Sequence, residues 1–351
     1  MQRPVMNPMF MEEKEAPAPR RKPKLHQRVW GWIRAGFKWV TRIFFTNFFR
    51  SERARLRIED GTRVQRFVRG LLYRLAFVPV ILAIFVVTLV FAVTHPPHYS
   101  AEADPTLQGV YYDPVNFVSE DGTRLEGWIV PVFDAKRVLE EKERTLHKKH
   151  PAIVLVHDYM GTRQQMLPLV PALHDAGLVV LVVGLRGTGP SMGTGQTFGL
   201  KEQMDVRAAV DFLRRRSYVD AAKVSVMGLG TGANAAVGAA AQDANIAALI
   251  LDRPIESFDQ AMTNRLGRNQ QWLSVLMPLF RYTFEAMYHV DADQLTSASF
   301  ATVTSTRPTL RFGDVNNEPC QPQNAEGIAA FLRYHKVAGT STSTMASTGR
   351  D

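Results

Sequence analysis

The sequence predicts an α/β fold, a mostly parallel sheet with helices on both faces, preceded by one transmembrane helix. Two observations predict it. After residue 115, short uncharged apolar runs, typical of strands covered on both faces, alternate with helical stretches. Ahead of them, residues 75–94 form a run of twenty residues without a charge. As a helix this run spans roughly 30 Å, the thickness of the hydrocarbon core of a membrane.

Composition and charge exclude several classes of protein. The chain has 351 residues, 46% of them apolar, and one cysteine, so it is neither a disulfide scaffold nor wholly disordered. Its net charge of +9 comes from residues 1–74, which hold 18 Lys/Arg against 6 Asp/Glu, whereas residues 75–351 carry −3. Because the basic residues are confined to the N-terminal part, we expect no nucleic acid as a partner.

The basic N-terminal part divides into two segments. Residues 1–27 are rich in proline and charge and are predicted to be a disordered basic N-terminus. In residues 28–70, apolar and aromatic side chains recur at helical spacing between arginines and lysines: Trp30, Ile33, Phe37, Val40, Phe44 and Phe48. This pattern is typical of a basic amphipathic helix on an anionic membrane surface, with packing on a partner protein as the alternative. We therefore expect the lipid bilayer as a partner, and other subunits of a membrane complex as a further one.

The predicted transmembrane helix covers residues 71–94. Arginines precede it, and no Lys or Arg follows it until Arg124. The positive-inside rule then predicts a single-pass protein of the cell membrane, with a cytoplasmic N-terminus and the main domain on the outer, periplasmic or extracellular side. The apolar run is too long and starts too late for a cleaved signal peptide, so it is expected to be an uncleaved signal anchor.

The main domain is expected at residues 115–338, after a Pro-rich linker at 95–114 and before a flexible tail at 339–351. Two alternating runs around residues 120–122 predict a hairpin. Five apolar runs predict the strands that follow, at 152–156, 178–183, 224–227, 248–251 and 309–312. Between the second and third of these runs, residues 201–215 have the pattern of a helix.

Four segments of this domain follow one another in a recognisable order: EDGTRLEGWIVP, AIVLVHDYMG, GLRGTGPS and VDAAKVSVMGLGTGANAA. They resemble successive landmarks of the α/β-hydrolase superfamily, in particular its serine-aminopeptidase-like branch. The resemblance runs from about residue 115 to residue 331. It implies the α/β-hydrolase fold, with residues 255–307 as a helical cap between two strands. It also implies a site with a serine, a histidine, an acid and two backbone N–H groups for an oxyanion.

The reactive turn of this superfamily, G-x-S-x-G, corresponds to residues 228–232, directly after a predicted strand. Gly228 and Gly232 match, but the serine position is Gly230, which has no side chain that could attack a substrate. Thr231 comes one residue late, so its hydroxyl is expected to point away from the apex of the turn. The sequence therefore predicts no nucleophile at this turn.

The other parts of the site also depart from the superfamily. The acid position is Asn316, and Asp314 or Glu318 could replace it only if the loop were rearranged. The single histidine after it, His335, falls in a predicted helix, so the sequence offers no equivalent of the catalytic histidine.

The oxyanion loop is altered as well. Its positions are His157, Asp158 and Thr231, and Asp158 replaces a glycine, so that its charge would oppose a developing oxyanion. Joint loss of these features favours a catalytically inactive domain that serves as a membrane-anchored binding or scaffold subunit.

Two other functions stay open. Gly228, Gly230 and Ala233 also match the G-x-G-x-x-A fingerprint of a dinucleotide-binding turn, with Asp252 at the end of the next predicted strand. Alternatively, the protein is a membrane-anchored serine-hydrolase-family enzyme that cleaves an ester or peptide bond through a non-standard site, using Thr231 or other groups. The sequence contains no H-E-x-x-H motif and no cysteine cluster, so we expect neither a metal nor a cofactor.

Overall fold

The computed structural model describes residues 63–95, 103–132, 149–189, 191, 193, 195–255, 257–266, 275–295, 297–313 and 324–337. The chain forms two compact units, Met1–Tyr73 and Arg74–Asp351. Of the first unit, only the start of a helix is described. The predicted disordered N-terminus, the predicted flexible tail and Asn316 lie outside the described residues, as does the predicted membrane-surface region except for residues 63–70, which are helical.

Eight α-helices are described. They are α1 (Arg63–Thr94), α2 (Val170–Asp175), α3 (Glu202–Arg214), α4 (Thr231–Gln242), α5 (Phe258–Leu266), α6 (Met277–Tyr288), α7 (Ser297–Ser305) and α8 (Asn324–Val337). Three short 3₁₀ helices cover Pro105–Gln108, Arg163–Leu169 and Ala292–Gln294. Within α1, the part Gly70–Thr94 contains an 18-residue stretch with a mean hydropathy of 3.0 and is long and apolar enough to cross a membrane.

Seven strands form one sheet. They are β1 (Asp113–Val118), β2 (Arg124–Val130), β3 (His150–Val156), β4 (Val179–Val183), β5 (Val219–Leu229), β6 (Ile246–Asp252) and β7 (Thr309–Phe312). The strand order is β1-β2-β4-β3-β5-β6-β7. The hairpin β1–β2 and the pair β2–β4 are antiparallel, and the remaining pairs are parallel. The predicted fold class, a mostly parallel sheet in an α/β domain, is confirmed.

Helices cover both faces of the sheet because successive strand residues point to opposite sides. In β3, Val154 and Val156 pack into a core with α3, α4 and α7, whereas Ile153 and Leu155 pack into a second core with α2 and α8. All four side chains are fully buried. The sheet therefore holds the carboxyl ends of its parallel strands at one rigid edge, where α/β proteins place their sites.

The segment between β6 and β7 contains α5, α6 and α7. Aromatic side chains of α5 and α6 form a third apolar cluster, in which the rings of Phe258 and Phe284 are 5.0 Å apart. By contrast, Phe300 of α7 packs into the sheet core beside α4. The predicted cap, residues 255–307, thus contains two helices of the third cluster, α5 and α6, and one helix, α7, that packs on the sheet core. The name cap is used below for α5 and α6.

The end of α1 joins this third cluster. Val86 and Val90 are buried in it, although Ile84, on another side of α1, is 61% exposed. The backbone oxygen of Thr94 accepts a hydrogen bond from Gln196 N at 2.7 Å. The packing of the domain thus includes residues before the predicted linker and before residue 115, where the sequence analysis starts the domain.

Candidate active site

The reactive turn connects β5 to α4 at the carboxyl edge of the sheet. Gly230 has φ +57° and ψ −116°, a conformation that a glycine adopts without steric cost, and its N–H donates to Asp252 O at 2.8 Å. A Cβ at Gly232 would lie 2.5 Å from His157 O, so the helix start passes directly over the loop after β3. The sharp strand-to-helix turn of the superfamily is therefore present without its side chain.

Asp158 fills the place beside Gly230. A Cβ built on Gly230 would lie 2.2 Å from Asp158 Oδ1 and 2.3 Å from its Cγ. The same Oδ1 accepts hydrogen bonds from Thr231 N at 2.8 Å and from Tyr159 N at 2.7 Å. The carboxylate thus occupies the space of the nucleophile's first atoms and takes two converging backbone N–H groups.

Two N–H groups aimed at one oxygen are the arrangement that stabilises the oxyanion of acyl transfer. One of them belongs to the first residue of α4, where the helix dipole adds positive potential. In this protein a side-chain carboxylate of the same chain, Asp158, accepts both bonds. The sequence predicts that the charge of Asp158 opposes a developing oxyanion from beside the site. In the structure, the Asp158 carboxylate instead lies at the two N–H donors, those of Thr231 and Tyr159.

The hydroxyl of Thr231 is hydrogen-bonded to the same groups, Asp158 and Tyr159 N. Its Oγ1 accepts from Tyr159 N at 2.9 Å and donates to Asp158 Oδ1 at 3.2 Å, and the residue is only 4% exposed. The hydroxyl holds the loop after β3 against the start of α4.

His157 contacts backbone groups through both ring nitrogens. Leu185 N donates to Nε2 at 3.2 Å, so the proton lies on Nδ1, which donates to Asp158 O at 2.7 Å. The side chain is fully buried, and burial lowers its pKa to about 4. A neutral imidazole held in this way orients the loop after β3.

His335 lies at the opposite edge of the sheet from Gly230. It lines a shallow cavity of about 220 Å³ with Lys223 and Ala247, which belong to the amino-terminal halves of β5 and β6. Gly230 follows the carboxyl end of β5, seven residues after Lys223, or roughly 23 Å away at the rise of a strand. The structure therefore does not bring His335 to the reactive turn.

Asp252 ends β6 at the same edge as the turn, as the sequence predicted. It is 1% exposed, and its carboxylate lies 3.4 Å from Arg253 Nε. Among the described residues, no group of three or more His, Cys, Asp or Glu side chains could hold a metal ion.

Tyr159 is a residue of the site that the sequence did not predict. Its N–H binds Asp158 Oδ1, and its hydroxyl donates to Val93 O at the end of α1. The signal was its position directly after the His157–Asp158 pair, where the second oxyanion N–H of the superfamily is expected.

A charged cluster holds the turn after β4 close to the site. Arg186 is 3% exposed and donates to Asp205 from Nη2 at 2.6 Å and to Asp121 from Nη1 at 2.6 Å. Burial disfavours the charged guanidinium, but the hydrogen bonds and charge of Asp205 outweigh it and hold the pKa of Arg186 above its ordinary value. The cluster connects the β1–β2 hairpin, the turn after β4 and α3.

Comparison with known proteins gives one family and several relatives. The family model of X-Pro dipeptidyl-peptidases (S15 family) matches residues 133–325, more than half of the chain. An uncharacterised protein of Mycobacterium tuberculosis is 35% identical over 140 residues, which cover 40% of this chain and 44% of that protein. The uncharacterised protein YfhR of Salmonella typhimurium is 30% identical over 155 residues, covering 41% and 49%. The chain thus spans about half the length of the curated relatives that it matches.

A solved structure of an esterase from Pyrococcus furiosus is similar with a TM-score of 0.51 at 17% identity. The match covers 69% of this chain and 97% of that chain. At this level of identity the likeness shows that the two chains share a fold.

Proposed function

We propose a function from the altered site of this chain, which belongs to the X-Pro dipeptidyl-peptidase (S15) family of α/β hydrolases. The sequence segments indicated this assignment at the level of the superfamily. The protein is a membrane-anchored, single-pass α/β-hydrolase-like protein that is catalytically inactive and serves as a binding or scaffold subunit. One observation carries the proposal, the carboxylate of Asp158 that fills the nucleophile's place and binds both amides.

The chemistry of the superfamily needs a nucleophile within hydrogen-bond reach of a base. Gly230 supplies no nucleophile, and the Thr231 hydroxyl is bonded to the Asp158 cluster. His157 has both nitrogens bonded to backbone groups, and His335 lies at the other edge of the sheet. These placements support loss of acyl transfer.

The alternatives have less support. A dinucleotide would place its pyrophosphate at the start of α4, where the N–H of Thr231 already binds Asp158. A hydrolase with Thr231 as nucleophile would need a base near a hydroxyl that is bonded to a carboxylate and buried. Either function requires Asp158 to leave its position, and neither has an observation of its own.

Gly70–Thr94 supports the membrane anchor by its length and hydropathy. The arginines before it, with Arg74 at its start, support a cytoplasmic N-terminus and a main domain on the outer side. The partners in this proposal are the lipid bilayer and other subunits of a membrane complex.

Activity is tested on the full chain in detergent micelles. We expect no labelling by a fluorophosphonate probe and no turnover of short-chain esters or X-Pro dipeptide amides, because the site has no free nucleophile. An active serine esterase in the same detergent is the positive control. Labelling of the wild-type chain that disappears in Thr231→Ala would overturn the inactive-site proposal and favour the hydrolase.

Sidedness is tested with the variant Ala244→Cys in a Cys320→Ser background. Ala244 is exposed in the turn between α4 and β6. A membrane-impermeant maleimide should label it in intact cells if the domain lies outside. Labelling that requires permeabilised cells would reverse the orientation and leave the anchor itself in place.

A further inference from the structure

The end of α1 is bonded into the domain. Val93 O accepts from the Tyr159 hydroxyl, Thr94 O accepts from Gln196 N at 2.7 Å, and the Thr94 hydroxyl is bonded to the Tyr288 hydroxyl of the cap. A helix leaves its last carbonyls without intrahelical partners, and the domain supplies donors for two of them here. The domain therefore begins directly at the end of the apolar helix.

Burial by the domain continues back along α1. Val90 is 2% exposed and Val86 0%, whereas Val87 is 45% exposed. The cluster that buries them includes Phe280 and Phe284 of α6. Val86 precedes Thr94 by eight residues, or about 12 Å along the helix, so the side chains that cover it lie well back from the helix end.

This depth conflicts with a domain that lies wholly in water. Gly70–Thr94 contains 25 residues, about 37 Å of helix, against a hydrocarbon core of roughly 30 Å. If the whole excess of about 7 Å projects on the domain's side, Val86 still lies about 5 Å inside the hydrocarbon core. The protein surface that covers Val86 must then enter the membrane with it.

The exposed surface of the cap suits such a position. Just before α6, Val275 is 81% exposed, and within α6 Tyr282 is 71% exposed. The charge of Arg281 is bonded to Glu285 at 3.1 Å and to Asp293. Exposed apolar and tyrosine side chains, on a helix whose two charged residues pair with each other, are typical of protein at the membrane–water interface.

We propose that the cap, and α6 above all, is immersed in the lipid leaflet on the domain's side, with the bilayer as its binding partner. The proposal rests on the membrane anchor of the proposed function. It makes the cap a second membrane contact and turns the edge of the sheet that carries Gly230 towards the lipid surface.

The test measures contact with lipid at three positions of the full chain. Single cysteines replace Tyr282 on the cap, Ile84 on the lipid side of α1 and Ala244 at the opposite edge of the sheet, each in a Cys320→Ser background. Each carries an environment-sensitive fluorophore, and the chain is reconstituted into phosphatidylcholine vesicles with doxyl-labelled lipids. A doxyl group near the headgroup or near the methyl end of the acyl chain reports depth.

We expect Tyr282→Cys to be quenched several-fold more strongly than Ala244→Cys, and more by the shallow doxyl group than by the deep one. Ile84→Cys should be quenched more by the deep group. Quenching at position 84 without quenching at 282 would overturn the inference and leave the anchor intact. Absence of quenching at both would overturn the anchor together with the inference, and equal quenching at all three would overturn a specific cap contact.

Discussion

Asp158 and Gly230 act as one structural unit at the reactive turn. Oδ1 of Asp158 accepts bonds from Thr231 N, Tyr159 N and the Thr231 hydroxyl, and the start of α4 adds a favourable dipole. The carboxylate fits because Gly230 has no Cβ. The space left by the missing side chain at position 230 is therefore the space that the carboxylate fills.

The first prediction concerns a methyl group at this position. Gly230→Ala adds a Cβ that overlaps Asp158 in a backbone conformation with φ +57°, so we expect the free energy of unfolding to fall by about 1–3 kcal/mol. Urea unfolding of the full chain in detergent measures it. Gly122→Ala is the control for a substitution at positive φ without overlap, since Gly122 has φ +83° with no atom within 4 Å of its built Cβ.

The same pair can be tested by a double-mutant cycle. In an Asp158→Gly background, Gly230→Ala should cost less than in the wild-type background, because the overlap is gone. If the costs of Asp158→Gly and Gly230→Ala simply add, the two residues do not share the space.

The second prediction concerns pH and His157. Its folded pKa of about 4 lies below the ordinary 6.5, so below pH 6.5 the unfolded chain takes up a proton that the folded chain does not bind. The contribution of His157 to the free energy of unfolding is therefore fully present above pH 6.5. It decreases by about 3 kcal/mol in all as the pH falls towards 4.

The measurement is the free energy of unfolding against pH for wild type and His157→Asn. Subtraction of the two curves removes the contribution of other titrating groups. The remaining difference should change with pH between 6.5 and 4. The exposed His289→Asn is the control and should keep the wild-type slope. If His157→Asn keeps the wild-type slope, His157 is not the group that causes this pH dependence.

At the residue scale, the sequence predicted the missing nucleophile at Gly230 but not the contact with Asp158. These residues are far apart in the chain and meet because each follows the carboxyl end of one of two neighbouring strands, β3 and β5. A motif comparison treats each position alone, so it identified Asp158 as a charge beside the oxyanion. Which atom it binds depends on the packing of the loop over α4.

At the element scale, α1 has one face on the domain and its other side chains exposed. Val86 and Val90 are buried, while Ile84 and Val87 are exposed. The sequence could predict the helix but not its covered face, because an apolar run of this length has no polar side to mark orientation.

The third prediction compares two aliphatic residues of α1. Val86→Ala leaves a cavity between α1 and the cap and should lower the free energy of unfolding by about 1–3 kcal/mol. Ile84→Ala, at a position that is 61% exposed, should change it by less than about 0.5 kcal/mol. Thermal unfolding of the full chain in detergent measures both. Equal effects would show that the domain does not pack on α1.

At the scale of the whole molecule, one sheet carries every element of the site, and the Arg186 cluster fixes the hairpin and α3 to its edge. The sequence predicted this architecture because alternation of apolar runs is a strong signal. It placed the start of β5 too late, at residue 224, since the polar run before it hides the strand. In the structure Val219 pairs with His150 across an irregularity in the register of β3 and β5.

The fourth prediction tests that cluster. Arg186→Met should lower the free energy of unfolding by about 3–5 kcal/mol, because it leaves Asp205, whose side chain is 0% exposed, as an uncompensated buried charge. Arg186→Met with Asp205→Leu should recover part of the loss. Lys223→Met is the control, because its pair with Asp220 is partly exposed and should contribute less than about 1 kcal/mol. A small effect of Arg186→Met would show that water reaches the cluster.

The mutual fit of Gly230 and Asp158 also bears on evolution. A serine restored at position 230 meets a carboxylate that already fills its space, and removal of the carboxylate first leaves the N–H of Thr231 without this acceptor. For the inactive member that we propose, each single step back is therefore disfavoured, and the pair works as an epistatic ratchet. A descendant lineage would regain a serine nucleophile at this turn only by passing through a less stable intermediate.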